Sequence, residues 1–350
     1  SASPQTILDL PYGGLAVSGS APKTLPATTT VTGDYTVAGA VPAIGTGTFT
    51  YAAGTGTIQR VAATNYYNLV ITGNRAGNTI RLGNGVSNNT IDVANVFTMT
   101  ATNYASTDGG YNTFNFSSAS NITIPGFTYG NITNIAPAGT KRTYDPLGST
   151  DPTHVITCRS LLPVNPWVTG DNTTSGSKIK LNRTGVTSTT LYGFNYFDFE
   201  LSGDLGGTSL AISGQIGIAG TFTVSAVNYN LNTTTGRFFY NGTGNQTITT
   251  FNYNDLWIAG TAGAAGTRII TLPNYGIIGV RNQLAVTLPG TFSGGNGFVV
   301  TGSTVNFFNG SNNVPVLPPL VAGGDNYHHL SVSSGTRILA GNLKLGGDLT

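Results

Sequence analysis

The sequence predicts an all-β protein built as a parallel β-helix, or β-solenoid, and three observations carry that prediction. Strong helix formers are scarce, because Glu and Met each occur once in 350 residues. Residues that favour strands and turns are abundant, including 49 glycines and many Val, Ile, Thr, Tyr and Asn residues. A short phrase, tyrosine followed three residues later by an apolar residue, recurs at intervals of 54 to 74 residues.

The recurring phrase defines irregular repeats along the whole chain. Its tyrosines are Tyr12, Tyr66, Tyr129, Tyr196, Tyr253 and Tyr327. The apolar residues that follow them are Leu15, Leu69, Ile132, Phe199, Leu256 and Leu330. We therefore expect residues 1–350 to form one continuous repeat array, with units at approximately 12–65, 66–128, 129–195, 196–252, 253–326 and a partial unit at 327–350.

A second phrase precedes several copies of the first. Residues 47–59 match residues 236–248, and each segment contains an aromatic residue at every second position followed by a Gly- and Asn- or Thr-rich turn. Alternation of this kind places Phe49 and Tyr51 on one face of a strand. The same pattern places Leu256 and Ile258 on the inner face of a strand in a later repeat.

The spacing within a repeat favours short coils over separate domains. Leu15 and Tyr35 are 20 residues apart with two short strands between them, which is the rhythm of a three-faced parallel β-helix. Tandem β-sandwich modules remain the alternative. A sandwich of the immunoglobulin type needs about 100 residues, so one unit is too short for it but two units together would suffice.

The low charge of the chain agrees with stacked coils and excludes some partners. Charged residues make up 8% of the sequence, and stacking would place like charges about 4.8 Å apart. Asn and Thr side chains can form uncharged ladders at that spacing instead. The net charge is +2 and no basic run occurs, which argues against nucleic acid as a partner. No apolar run reaches the ~18 residues of a membrane span.

The two ends of the chain resemble each other. Residues 12–36 align with residues 327–350 with one single-residue gap, and the second copy stops in the middle of a strand. We therefore expect the sequence to be a segment of a longer chain. The expected partners are adjacent repeats of that chain or other subunits of a fibre.

The residues that carry acid–base or metal chemistry are few and scattered. Asp198 and Glu200 share one strand face and Asp204 follows after a turn, so this is the best candidate for a hydrolytic site. We expect it instead to be the polar outer face of a strand, opposite Phe197 and Phe199. Adjacent His328 and His329 should point to opposite faces, and His154 lies far away in sequence, so no metal site is expected. We predict no catalytic residue, no cofactor and no metal.

Aromatic side chains are the remaining candidates for ligand binding. Tyr66, Tyr67, Tyr240 and Trp257 could offer a stacking platform to surface glycans, although alternation favours a place in the core for most of them. The single cysteine, Cys158, cannot form a disulfide within the chain and is expected to be a small core residue.

The repeats resemble those of giant secreted surface proteins of the Bacteroidota. The resemblance is carried by residues 236–271 and 327–350, and less fully by 12–72. That class includes the cell-surface adhesins of gliding bacteria exported by the type 9 secretion route. The resemblance implies an extracellular, cell-surface fibre or adhesin that is not an enzyme and that mediates attachment or motility. The alternative is a polysaccharide-binding or polysaccharide-cleaving β-helix, similar to a tail-spike depolymerase.

Overall fold

The computed structural model describes most of the chain and is almost entirely β. It describes residues 3–39, 42, 45–52, 58–83, 89–107, 112–137, 139–163, 172–185, 189–231, 236–259, 268–287, 298–299, 302–308, 316–317, 327–334, 338–339 and 343–350. Within these residues the only helical element is one 3-10 turn, Pro152–His154, which begins after Asp151.

The chain divides into two compact units, Ser1–Lys180 and Leu181–Thr350. The first unit contains strands β1 (Gln5–Thr6), β2 (Pro11–Tyr12), β3 (Leu15–Gly19), β4 (Lys23–Thr24), β5 (Thr28–Val31), β6 (Tyr35–Gly39), β7 (Thr48–Tyr51), β8 (Ile58–Val61), β9 (Asn65–Asn74), β10 (Thr79–Leu82), β11 (Thr90–Thr102), β12 (Ala105–Thr107), β13 (Thr113–Phe116), β14 (Ile122–Ile124), β15 (Asn131–Asn134), β16 (Arg142–Tyr144), β17 (Ile156–Cys158), β18 (Ser160–Leu162) and β19 (Asn172–Thr173).

Strand β20 (Lys178–Asn182) contains the boundary between the units. The second unit contains β21 (Thr189–Tyr196), β22 (Asp198–Ser202), β23 (Ser209–Ile218), β24 (Phe222–Val224), β25 (Asn230–Leu231), β26 (Arg237–Tyr240), β27 (Gln246–Thr247), β28 (Asn252–Ala259), β29 (Ile270–Thr271), β30 (Ile277–Thr287), β31 (Phe298–Val299), β32 (Thr304–Phe307), β33 (Val316–Leu317), β34 (His329–Val332) and β35 (Ile338–Leu339).

Parallel pairing confirms the predicted β-solenoid. In the first unit one sheet runs in the order β18-β15-β13-β11-β9-β7-β5-β2, and in the second unit the main sheet runs β21-β23-β26-β28-β30-β32-β34. Each neighbouring pair in these two sheets is parallel. An immunoglobulin-type sandwich is built from antiparallel sheets, so the sandwich alternative is wrong.

The first coils have the three faces that the sequence predicts. Strands β1, β2 and β3 form one coil and pair in turn with β4, β5 and β6 of the next. Leu15 pairs with Tyr35, the residue 20 positions later, and Phe49 pairs with Leu69 after the same interval. Further along the chain the interval is longer, as between Leu256 and Leu284.

A corner in the backbone explains the three-residue spacing of the repeat phrase. Residues i and i+3 of a regular strand face opposite sides, yet Tyr66 and Leu69 are both buried. Their partners on β11 are Val93 and Phe97, which are four residues apart, because the register shifts between these positions. The irregularity places one extra residue on β11, and it accompanies a corner at which both Tyr66 and Leu69 face inward. A shift of the same kind falls within the later copy of the phrase, between Tyr253 and Asp255.

The core of each unit is a stack of inward side chains from successive coils. Phe49 and Leu69 are fully buried neighbours on β7 and β9. In the second unit Phe238, Leu256 and Leu284 form an equivalent row across three strands. Burial of these rows is the main favourable contribution to folding, and each coil obtains it from the coils on either side.

Candidate functional site

The carboxylates of β22 lie on the outer face of the strand, as the sequence predicts, and both bind the next coil. Phe199 between them is buried, whereas Asp198 and Glu200 are partly exposed. Asp198 Oδ1 accepts hydrogen bonds from Thr221 N at 2.7 Å and from its hydroxyl at 2.8 Å. Glu200 Oε1 accepts from the Ser225 hydroxyl at 3.2 Å. Both carboxylates therefore stabilise the stacking of adjacent coils.

Asp204 has a similar structural role in the turn that follows. Its Oδ1 accepts from Gly206 N at 2.9 Å, and both its carboxylate oxygens lie 3.1 Å from the amide nitrogen of Asn228. The Gly206 and Asn228 hydrogen bonds lower the pKa of Asp204. Phe197, which was expected to be buried, is only half-buried because the chain bends there between β21 and β22.

The three histidines occupy two separate places. His328 precedes β34, so the two adjacent rings meet edge to face with centroids 4.4 Å apart instead of pointing to opposite faces. His329 Nδ1 accepts a hydrogen bond from Asp348 N at 2.9 Å. His154 Nδ1 lies 2.8 Å from Asp145 Oδ2. Within the described part of the chain no three His, Cys, Asp or Glu residues form a group that could hold a metal ion.

Two of the four aromatic candidates are core residues. Tyr66 is 1% exposed and Tyr240 is 0% exposed, so neither ring can stack on an external ligand. Tyr67 lies on the opposite face of β9 and is half-buried. Cys158 is buried in β17, as expected.

Trp257 points outward, but part of its ring is already covered. The guanidinium carbon of Arg237 lies 4.0 Å from the Trp257 ring centroid and 5.5 Å from that of Phe239. Phe239 and Trp257 are neighbours on β26 and β28, with centroids 5.2 Å apart. This cluster is a cation–π stack that stabilises the outer face of the sheet, and its covered ring face is closed to a sugar.

Each unit contains a buried module, formed by an arginine and a glutamine side chain, that was not predicted from the sequence. Arg75 donates to the carbonyl oxygens of Tyr51 and Thr72, both at 2.8 Å, and to Gln59 Oε1. The Gln59 amide in turn donates to Gly33 O of an earlier coil at 2.9 Å. Burial lowers the pKa of Arg75. The charge is therefore balanced by carbonyl and amide oxygens, which hold the backbone at a coil corner.

The second unit contains the same module. Arg268 donates to Tyr240 O at 3.0 Å, to Ala259 O at 3.0 Å and to Gln246 Oε1 at 2.5 Å. The Gln246 amide donates to Ile218 O, 28 residues earlier, at 2.9 Å. The sequence signal that could have revealed the module is a glutamine shortly after each aromatic strand and an arginine about 20 residues later.

The first unit also contains an open cleft of about 390 Å³. One wall is formed by 101–104 and Ser106, at the end of β11 and the start of β12. The residues of the other wall are Phe127, Thr128, Pro152, Thr153, Val155 and Thr157. Thr128 and Thr157 of that wall form a parallel bridge between successive coils. Because its walls come from successive coils and enclose a defined volume, this cleft is a candidate ligand site within the described residues.

Comparison with other proteins identifies no family for this chain. It matches no protein-family model, no curated protein and no solved structure. Among the described residues no helix has the length and apolar character needed to cross a membrane.

Proposed function

We propose that this chain is a non-catalytic structural segment of an extracellular cell-surface fibre or adhesin that mediates surface attachment or motility. Its repeats form the body of the fibre, and adjacent repeats or fibre subunits are its partners. Secretion by the type 9 route of a member of the Bacteroidota is part of the proposal and rests on the resemblance of the repeat phrases.

The observation that carries the proposal is that polar side chains form hydrogen bonds from one coil to the next. Asn95 donates to Asn68 Oδ1 at 2.8 Å, 27 residues earlier, and Ser160 donates to Asn131 Oδ1 at 2.8 Å, 29 residues earlier. Asp198 accepts from the residue 23 positions later. Polar side chains that would carry chemistry in an enzyme thus bind successive coils together. Such a ladder makes stability collective, which suits a load-resisting fibre.

The experiment combines surface labelling with gene replacement in the producing organism. Antibodies against this chain should label intact cells, and removal of the segment should reduce attachment or motility. A chain that carries Asp198→Asn and Glu200→Gln together should restore the phenotype fully, because both substitutions keep a hydrogen-bond acceptor at each position. An antibody against an intracellular protein serves as the control for cell integrity.

Two results would contradict the proposal. Labelling that requires permeabilised cells would remove the surface location. Release of reducing sugar from a polysaccharide by the purified chain, lost in the Asp198→Asn, Glu200→Gln variant, would favour the polysaccharide-cleaving alternative.

A further inference from the structure

The cleft in the first unit lies where the ladder of strands on one face is interrupted. Within the described residues β12 pairs with β10 alone, whereas β14 of the following coil pairs with β16. Two residues before β12 begins, Asn103 adopts a φ of 51°. Its carbonyl oxygen accepts a hydrogen bond from Gly77 N at 2.7 Å, which ties this turn to the previous coil. The open side of β12 therefore borders the cleft.

The opposite wall is held in place from beneath by a buried carboxylate. Asp145 is 7% exposed, and its Oδ2 lies 2.8 Å from both Gly126 N and His154 Nδ1. Its Oδ1 accepts from Leu147 N at 3.2 Å. A Cβ on Gly126 would lie 2.2 Å from the carbonyl carbon of His154, so the close approach of the two segments requires glycine there. The wall is thus fixed before any ligand arrives.

The lining of the cleft is neutral and amphipathic. Ser106, Thr128 and Thr153, which carry hydroxyl groups, are among the lining residues, and no lining residue is charged. The Thr153 hydroxyl donates to Asp151 Oδ1 at 2.7 Å and keeps its oxygen as an acceptor. The ring of Tyr104 lies 6.0 Å from that of Phe127, centroid to centroid, and both line the cleft. Burial, with a smaller contribution from Asp145, raises the pKa of the Tyr104 phenol, so its hydroxyl stays protonated. Each of the other hydroxyls can both donate and accept a hydrogen bond.

We propose that this cleft binds a neutral sugar residue of a glycan. A pyranose ring presents hydroxyl groups at its edge and an apolar C–H face, which match the threonine and serine hydroxyls and the Tyr104 ring respectively. Anionic ligands are disfavoured because the lining offers no cation, and amines are disfavoured because the lining offers no carboxylate. The neighbouring Asp145 and Asp151 already accept hydrogen bonds from protein groups. The volume lies within the range of about 300–1,000 Å³ found for small-molecule sites.

The inference goes beyond the proposed fibre role. If the sugar site proves wrong, the fibre role still stands. A fibre segment needs no ligand site, and a chain that binds no sugar can still form a stacked solenoid. The expected affinity is weak for a single ring, and many copies along a fibre would raise the overall strength by avidity.

The test is a binding measurement on the whole 350-residue chain. The probes are the methyl glycosides of glucose, galactose, mannose and N-acetylglucosamine, with sialic acid and glucosamine as charged comparisons, followed by saturation-transfer NMR and calorimetry. At least one neutral probe should bind saturably and better than both charged probes. Tyr104→Ala should weaken that binding at least about tenfold, and Thr128→Val should weaken it by a smaller factor because only one hydroxyl is lost.

Two further variants keep the result interpretable. Thr153→Arg places a long charged side chain at the exposed edge of the cleft and should block binding without changing the melting temperature. Tyr275→Ala removes a tyrosine that is 81% exposed in the second unit and should leave binding unchanged. The proposal is overturned by absence of saturable binding of every neutral probe, by preference for a charged probe, or by unchanged affinity in both Tyr104→Ala and Thr153→Arg.

Discussion

The hydroxyl oxygens of Tyr51 and Tyr66 lie 2.8 Å apart in the core of the first unit, and together they satisfy both backbone groups of Ala62. Ala62 N donates to the Tyr51 hydroxyl at 2.9 Å, and the Tyr66 hydroxyl donates to Ala62 O at 3.0 Å. Because the Tyr66 hydroxyl already donates its hydrogen to Ala62 O, the Tyr51 hydroxyl is the donor in the hydrogen bond between the two tyrosines. The three hydrogen bonds form a closed ring.

The same arrangement recurs in the second unit at Tyr240, Tyr253 and Thr249. The two hydroxyl oxygens are 2.9 Å apart, Thr249 N donates to Tyr240 at 3.1 Å, and Tyr253 donates to Thr249 O at 2.8 Å. The conserved geometry within one chain gives the repeated tyrosine a physical purpose. It holds the turns that precede β9 and β28, much as a tyrosine corner does in β-sandwich domains.

We first predict that Tyr66→Phe destabilises the first unit by about 1–3 kcal/mol, because the buried carbonyl of Ala62 loses its partner. Tyr51→Phe should cost a similar amount by leaving Ala62 N without an acceptor. The double variant should cost less than the sum of the two, since both residues act in one ring. Urea unfolding measures all three, with Tyr67→Phe on the outer face of β9 as the control. Additive costs would contradict the closed ring.

The second prediction concerns alkaline pH. Burial is the main cause of the raised pKa of Tyr51, Tyr66, Tyr240 and Tyr253. The folded state therefore keeps these protons at a pH where the unfolded state has lost them. The contribution of these tyrosines to stability should be constant below about pH 10 and should then fall by about 1.4 kcal/mol per pH unit for each buried tyrosine.

Tyrosinate absorbance and circular dichroism, recorded during the same alkaline titration, check this prediction. The absorbance of the buried tyrosines should rise together with loss of β structure. A chain with Tyr240→Phe and Tyr253→Phe should lose stability less steeply above pH 10 than the parent. Gradual ionisation of all tyrosines in a chain that stays folded would show that the core admits hydroxide freely.

The fold could be predicted from the sequence because every coil needs the same inward apolar side chains and outward polar side chains to stack on its neighbours. The inward rows around Phe49 and Leu256, the asparagine ladders and the tyrosine phrase all follow from alternation and spacing. The cleft could not be predicted, because it depends on the end of strand pairing at β12. That end depends in turn on the lengths of the neighbouring coils. Buried Arg75 also escaped prediction, since charged residues are almost never fully buried unless they are paired.

The third prediction tests that arginine. Arg75→Lys should destabilise the first unit by roughly 1.5–3 kcal/mol per lost charged hydrogen bond, because one ammonium group cannot reach Tyr51 O, Thr72 O and Gln59 together. Arg60→Lys is the matched control. Arg60 pairs with Asp34 at 2.7 Å in a half-exposed position, so its replacement should cost less than about 1 kcal/mol. If both variants lose the same stability in unfolding measurements, the claim that Arg75 holds three acceptors at this corner is wrong.

The fourth prediction uses two glycines of one turn in the second unit. A Cβ on Gly242 would lie 2.0 Å from the carbonyl oxygen of Ala219, which belongs to the previous coil, whereas a Cβ on Gly244 would meet nothing within 4 Å. Gly242→Ala should therefore separate the two coils and cost about 1–3 kcal/mol, the usual cost of overpacking. Gly244→Ala should be neutral or slightly stabilising, because it restricts only the unfolded chain. Thermal melting of both variants decides the matter: if Gly242→Ala melts with the parent, the coils are less tightly stacked at this corner than the 2.0 Å approach requires.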